Sequence, residues 1–192
     1  MRRRRIVEWI VVGVLVVAAV VVVGWRFGGC ALSCGRGATP VSADITFTIA
    51  LDTRQTTGSA YGIRYLPATV LIDQEGVIRD IKVGAFRSKQ DIVDWLDEFA
   101  AREATDPLEG VAPRVGHMAP DFALPTLEGA IVELSELRGR WVLVNFWATW
   151  CRYCVVQQPY LQAAFEEKGA EVEFIGINLG ESEQKVREHI KG

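Results

Sequence analysis

Cys151 and Cys154, separated by two residues, are the side chains of this sequence best suited to chemistry. They follow the apolar run WVLVNFWA at 141–148, which predicts a central strand buried on both faces. A strand that delivers Cys151 to the first turn of a helix places its sulfur beside unpaired N–H groups, and these favour a thiolate. We therefore predict that Cys151 is a nucleophile.

Two neighbours complete this predicted chemistry. Cys154 lies on the same helical face one turn on, close enough to attack a mixed disulfide formed by Cys151. Arg152 adds a positive charge that should stabilise the thiolate further. Because the redox-active group is the cysteine pair itself, we expect no cofactor and no metal.

Other interpretations of the two cysteines stay open. A zinc site would need Cys30 and Cys34 as the second pair. Haem attachment would need His at the position that Val155 occupies. A purely structural disulfide is the third alternative, and the aromatic approach WATW at 147–150 favours a reactive pair over it.

The N-terminal part of the chain predicts a membrane anchor. The apolar run at 6–23 would span roughly 27 Å as a helix, close to the thickness of a hydrocarbon core. The basic tail at 1–5 predicts a cytoplasmic N-terminus and an extracytoplasmic remainder, whereas a cleaved signal peptide is the alternative. Residues 24–43 predict a flexible tether. Without Arg2 to Arg5, Glu8 and Arg26, which flank or begin the anchor, 16 basic and 23 acidic residues give the remainder a net charge of −7, which argues against nucleic acid as a partner.

The rest of the chain, 44–192, alternates strand and helix patterns. Strands are predicted at 45–52, at 68–73 and 76–84 as a hairpin, and at 172–179. A short hairpin is predicted within 119–137, around Glu128 and Gly129. Ser88 and Asp91 form a capping box for a helix at 88–100, and further helices are predicted from Cys151 towards Lys168, with a kink at Pro159, and at 182–191. The prolines and lack of periodicity at 101–118 predict a linker.

The segment GHMAPDFALPTLEGAIVELSELRGRWVLVNFWATWCRYCVVQQP resembles the first half of membrane-anchored thiol-disulfide oxidoreductases of the TlpA/ResA type, which have a thioredoxin fold. The segment YGIRYLPATVLIDQEGVIRDIKVG at 61–84 resembles part of their second half, although it lies upstream here. The resemblance therefore implies an α/β thioredoxin-like domain that is circularly permuted. In this interpretation 44–100 carries the cis-proline half, 101–118 joins the old ends, and 119–192 carries the cysteine half. The halves could close within one chain or exchange between two chains.

The resemblance also implies roles for individual residues. Leu66 and Pro67 should form a cis bond beside the cysteine pair, with Pro67 shaping the substrate groove. The substrate polypeptide should contact Leu66, Trp150, Arg152 and Tyr153. The implied activity is exchange of dithiol and disulfide with protein substrates, for example reduction of apocytochrome c cysteines, with a membrane electron donor as a second partner.

Two positions depart from the pattern of these proteins. Gln157 stands where many of them carry Glu, and Asn145 stands where thioredoxins carry a buried Asp. Neither side chain can accept a proton, so the deprotonation of Cys154 has no acceptor that the sequence identifies. Cys30 and Cys34 have no counterpart in the resemblance, and a local disulfide or no role is the favoured interpretation.

Two other functions remain alternatives. A peroxiredoxin-like thiol peroxidase is one, because the APDF and LSEL segments also occur in that class. A non-catalytic product of a rearranged gene, with two half-folds, is the other. Peroxide consumption and cooperative unfolding distinguish these alternatives from an oxidoreductase.

Overall fold

The computed structural model of this protein describes residues 44–101 and 108–190. The predicted anchor at 6–23, the tether at 24–43 and the pair Cys30 and Cys34 lie outside these ranges. Within the two ranges, none of the helices has the length and apolar character needed to cross a bilayer.

A five-stranded sheet forms the centre of the described fold, in the spatial order β1-β9-β8-β2-β3. Strands β1, β9 and β8 run parallel to one another, and β2 is antiparallel to both β8 and β3. The two central strands, β8 and β9, thus come from the later half of the chain and the three others from the earlier half. The bounds are Thr48–Asp52 (β1), Ala68–Ile72 (β2), Ile78–Val83 (β3), Trp141–Trp147 (β8) and Val172–Leu179 (β9).

These strands confirm the sequence prediction, including the antiparallel hairpin of β2 and β3. Its turn depends on Asp73, whose carboxylate accepts the Val77 N–H at 2.8 Å, and on Gly76, which adopts a φ of 86°. Glycine is favoured there because left-handed backbone strains other side chains. The central position of β8 explains why WVLVNFWA has no polar alternation: both of its faces are covered.

Four helices surround the sheet within the described residues. The capping box at Ser88 is confirmed, because its hydroxyl oxygen accepts the Asp91 N–H at 3.1 Å. A five-residue helix that the sequence did not predict follows β1, and buried Asp52 caps it by accepting the N–H groups of Thr56 and Gly58 at 2.9 and 2.8 Å. The helix bounds are Thr56–Ala60 (α1), Lys89–Ala100 (α2), Arg152–Lys168 (α3) and Glu183–Ile190 (α4).

Residues 108–118 differ from the linker interpretation. They form a two-stranded parallel ribbon of β4 (Leu108–Val111) and β5 (His117–Met118). The Gly116 N–H donates to the Ile78 carbonyl oxygen at 2.8 Å, so the ribbon lies against the open edge of β3. The predicted hairpin within 119–137 is confirmed as β6 (Ala123–Pro125) and β7 (Ile131–Glu133), followed by a 3₁₀ helix at Leu134–Leu137.

Two apolar cores cover the faces of the sheet. The core on one face includes Leu143 of β8, Ile92 and Leu96 of α2, Leu161 of α3 and Val186 of α4. The core on the opposite face is built from side chains of the strands, the end of α1 and the β6–β7 region. It includes Tyr61, Phe122, Phe146, Leu134, Ile175 and Ile177.

Gly176 of β9 provides a test of how closely the two halves of the chain pack. A Cβ atom there would lie 2.7 Å from Ile49 Cδ1 and 3.2 Å from Trp147 Nε1. We predict that Gly176→Ala lowers the free energy of unfolding by about 1 to 3 kcal/mol, because the added methyl group overpacks the β1–β9 contact. Urea denaturation measures this change, and an unaltered midpoint would contradict the close packing.

Candidate functional site

The two cysteines form a disulfide at the N-terminus of α3. Their Cα atoms are 5.2 Å apart. Cys151 is the N-cap residue, and its Sγ accepts the Cys154 N–H at 3.2 Å. Cys151 is nearly buried and Cys154 is fully buried. The predicted placement of Cys151 at a helix start is therefore confirmed, and the backbone N–H that reaches its sulfur is of the kind that stabilises a thiolate.

Leu66 and Pro67 directly precede β2, and their peptide bond is cis, as predicted. The strand pairing explains their position. Because Ala68 at the start of β2 pairs with Phe146 near the end of β8, the two residues before Ala68 lie next to the exit of β8 that leads to Cys151. Leu66 packs against the apolar core that contains both cysteines.

Aromatic side chains are exposed around the site. Trp150 is 69% exposed, Tyr153 is 68% exposed, and Tyr65, which precedes Leu66, is 73% exposed. Arg152 is also exposed. Large exposed apolar groups beside a reactive pair are typical of a surface that binds another molecule. Trp150, Arg152 and Tyr153 are therefore exposed next to the cysteines in sequence, and Tyr65, which the sequence analysis did not name, is exposed beside Leu66.

Asn145 and Gln157 connect parts of the chain that are far apart in sequence. The Asn145 side chain donates to Thr69 Oγ1 at 2.9 Å, which joins β8 to β2. Gln157 Oε1 accepts the Phe86 N–H at 3.1 Å, which joins α3 to the segment before α2. The two positions where this chain lacks the expected carboxylates therefore hold the two halves together.

Glu181 is the buried carboxylate of this region, and the sequence analysis missed it. It follows β9 and accepts hydrogen bonds from Thr149, which follows β8. Burial raises the pKa of Glu181, but hydrogen bonds from Lys185, Thr149 and Asn178 outweigh this effect and lower the pKa to about 2. The contact between Glu181 and Thr149 could have been predicted from the parallel pairing of β8 and β9, because residues that follow neighbouring parallel strands lie at the same edge of a sheet.

His189 of α4 contacts an aromatic side chain at the end of β8 and a polar side chain of α3. The His189 ring lies 5.7 Å from the Trp147 ring, and its Nε2 is 3.3 Å from Gln158 Oε1. Burial lowers the pKa of His189, against an opposing contribution from Glu181. Among the described residues, the side-chain nitrogens Trp147 Nε1, Gln157 Nε2 and Gln158 Nε2 are buried without a hydrogen-bond partner.

The fold and the site together define a mixed α/β domain, consistent with the thioredoxin-like class, with a disulfide at a helix start and a cis-proline before the strand that pairs with β8. Cys30 and Cys34, the second cysteine pair of the zinc alternative, lie outside the described ranges.

Comparison with known proteins agrees with this class. Residues 115–191 match the AhpC/TSA family. The chain is 40% identical over 81 residues to the thiol-disulfide oxidoreductase ResA of Bacillus cereus, which covers 41% of this chain and 46% of that protein. It is 41% identical over 81 residues to ResA of Geobacillus thermodenitrificans, with coverages of 41% and 45%, and 39% identical over 77 residues to ResA of Bacillus subtilis, with coverages of 40% and 43%. The chain thus spans less than half the length of these curated relatives. Together the matches support an oxidoreductase.

The carboxylate of Glu181 predicts a pH dependence of stability. Its pKa in the folded protein is about 2, below the ordinary value of 4.5, so its contribution to stability is complete above pH 4.5 and is lost as the pH falls towards 2. We predict that Glu181→Gln flattens the fall in the free energy of unfolding across this window. Denaturant titrations at several pH values measure the slope. The control is Glu183→Gln, which removes an exposed carboxylate two residues further along the chain, at the start of α4, and should keep the original slope.

The hydrogen bond from Phe86 predicts the effect of removing the Gln157 acceptor. Gln157→Leu leaves a buried N–H without a partner, so we expect the free energy of unfolding to fall by about 1 to 3 kcal/mol. The control is Gln90→Leu on the exposed face of α2, which should change it by less than about 0.5 kcal/mol. Equal effects of the two substitutions would contradict a structural role for Gln157.

Proposed function

We propose that this chain is an extracytoplasmic, membrane-anchored thiol-disulfide oxidoreductase that exchanges dithiol and disulfide with protein substrates through Cys151 and Cys154. The observation that carries the proposal is the disulfide at the start of α3, together with the cis Leu66–Pro67 bond at the start of β2, the strand that pairs with β8. The names of the matched relatives support the same reaction.

In the reducing direction, the Cys151 thiolate attacks one sulfur of a substrate disulfide and releases the other substrate sulfur as a thiolate. Cys154, once deprotonated, attacks Cys151 Sγ and breaks the mixed disulfide. The substrate leaves with two thiols, and the two electrons come from the cysteine pair, which becomes a disulfide. A membrane electron donor then restores the dithiol. Water accepts the Cys154 proton in this proposal, since Asn145 and Gln157 cannot.

The substrate is a polypeptide that lies across the exposed side chains around the disulfide. Trp150, Tyr153 and Tyr65 supply apolar contact area, Arg152 supplies a positive charge, and the backbone of Leu66 offers strand-like hydrogen bonds. By analogy with the TlpA/ResA type, the substrates include apocytochrome c cysteines.

We further propose that the domain is circularly permuted relative to these relatives. The central strands β8 and β9 come late in the chain, whereas β2 and its preceding proline come early. The sheet nevertheless joins all of them within one chain, which supports closure of the halves without exchange between two copies. The match at 115–191, confined to the cysteine half, is consistent with this order.

A redox titration of the full chain in detergent tests the proposed activity. With Cys30→Ser and Cys34→Ser in place, only one cysteine pair can report. We expect a single two-electron transition in the fluorescence of Trp147 and Trp150. A midpoint near −270 mV, as in thioredoxin, would indicate a reductant, and one near −120 mV, as in DsbA, an oxidant. Absence of any transition would contradict the proposal.

A thiol peroxidase is the second candidate, because the matched family is AhpC/TSA. A peroxidase that needs only Cys151 would consume hydrogen peroxide as Cys154→Ser in the presence of an external thiol. We expect this variant to lack robust turnover, since the structure joins Cys151 to Cys154. Rapid peroxide consumption by the variant would favour the peroxidase.

A further inference from the structure

Glu181 makes an unusually complete set of contacts for a side chain that is only 7% exposed. Its Oε2 accepts the Thr149 N–H at 2.7 Å and the Asn178 side chain at 2.9 Å. Its Oε1 accepts the Thr149 hydroxyl at 2.7 Å and forms an ion pair with Lys185 at 2.5 Å. Both oxygens are thus engaged, and both bind the same residue of the loop that carries the cysteines.

The topology explains why these residues meet. Trp147 at the end of β8 pairs in register with Asn178 of β9, so the chain leaves both strands at the same edge of the sheet. Thr149 is two residues beyond β8, and Glu181 is two residues beyond β9. The contact therefore joins the turn before Cys151 to the end of a neighbouring central strand.

Apart from the contacts with Glu181, the turn is held at its two ends, where Ala148 and Cys151 are buried in the core. Its own backbone bond runs from the Cys151 N–H to the Ala148 carbonyl oxygen at 3.1 Å. Trp150, between Thr149 and Cys151, points 69% of its surface to solvent, so its packing contributes little to holding the turn. Hydrogen bonds to a carboxylate are stronger than those between neutral groups, and Thr149 makes two of them.

We infer that Glu181 is a positioning residue for the redox reaction: it holds Thr149 and thereby fixes Cys151 Sγ at the N-terminus of α3. This inference rests on the proposed function. Disulfide exchange requires the attacking and attacked sulfurs to align, and a shift of about 1 Å in a reacting group can reduce a rate by about a hundredfold.

The ion pair with Lys185 is consistent with a role in positioning. An unpaired carboxylate near Cys151 would oppose formation of the thiolate. Lys185 offsets the charge of Glu181, so the carboxylate can hold Thr149 with little electrostatic cost to the thiolate. Lys185 is half exposed, whereas the Glu181 side chain is buried.

The test measures how fast dithiothreitol reduces the Cys151–Cys154 disulfide in the full chain in detergent, with Cys30→Ser and Cys34→Ser present. Tryptophan fluorescence follows the reaction at a temperature well below the Tm of each variant. We expect Glu181→Gln to slow reduction by about ten- to a hundredfold, because the amide cannot accept both bonds from Thr149.

Matched variants separate positioning from stability. Thr149→Val removes only the hydroxyl bond and should slow reduction by several-fold, whereas Thr149→Ser keeps the hydroxyl and should restore the rate. Glu183→Gln is the control, because Glu183 also forms an ion pair four residues along α4 but is exposed and does not contact the turn. The double variant Thr149→Val with Glu181→Gln should be no slower than Glu181→Gln alone, because both changes disrupt one unit.

The outcomes separate this inference from the proposed function. If the unaltered pair is reduced and reoxidised normally but Glu181→Gln and Thr149→Val keep that rate while lowering the Tm, Glu181 has a purely structural role and the inference is wrong. If the unaltered protein shows no redox transition, the proposed function fails first. If Glu181→Gln does not fold, Thr149→Val with its Thr149→Ser counterpart still decides the question.

Discussion

The antiparallel pairing of β2 with β8 is the contact on which the rest of the site depends. It places the cis-proline at the start of β2 beside the strand that leads into Cys151, although the two segments lie far apart in sequence. A hydrogen bond between Asn145 and Thr69 joins the two strands from within the sheet, and the bond from the Phe86 N–H to Gln157 joins α3 to the segment that follows β3. Polar residues at these positions therefore secure the architecture instead of supplying a proton acceptor.

Features that depend on residues close in sequence were predicted well. The disulfide follows from a spacing of one helical turn, the β2–β3 hairpin from a turn at Asp73 and Gly76, and the start of α2 from the capping box at Ser88. In each case the residues that make the contact are within a few positions of one another. A short sequence pattern therefore includes both residues of the contact. The cis bond was predicted from resemblance, since neighbouring residues alone do not determine it.

Three features were missed, and two of them depend on distant partners. The exception is the helix α1: its partner is local, because buried Asp52 lies only four residues before Thr56, but its sequence, TTGSA, has poor helical propensity and gives no helical pattern. The β4–β5 ribbon lies where the Gly116 N–H donates to the carbonyl oxygen of Ile78, at the edge of β3 that does not pair with β2. Glu181 looks like an ordinary acidic residue of a loop, and its importance arises only when β8 and β9 pair. Periodicity and propensity report neither edge pairing nor which loops meet at one end of a sheet.

The strand order also has a consequence for how the protein folds as it is synthesised. The central strands β8 and β9 emerge after the three strands that flank them. Hydrogen bonds between the two halves of the chain join residues 76 positions apart within the sheet and 116 positions apart between the segment before β1 and α3. Contacts of such long sequence separation slow folding. Strand edges that remain unpaired until the later strands have been synthesised are prone to aggregation. The hairpin of β2 and β3 can form early, but β1 has no parallel partner until β9 has been made. Cys151 and Cys154 are synthesised shortly before β9, the last central strand. The sheet can therefore be completed soon after both cysteines have been made.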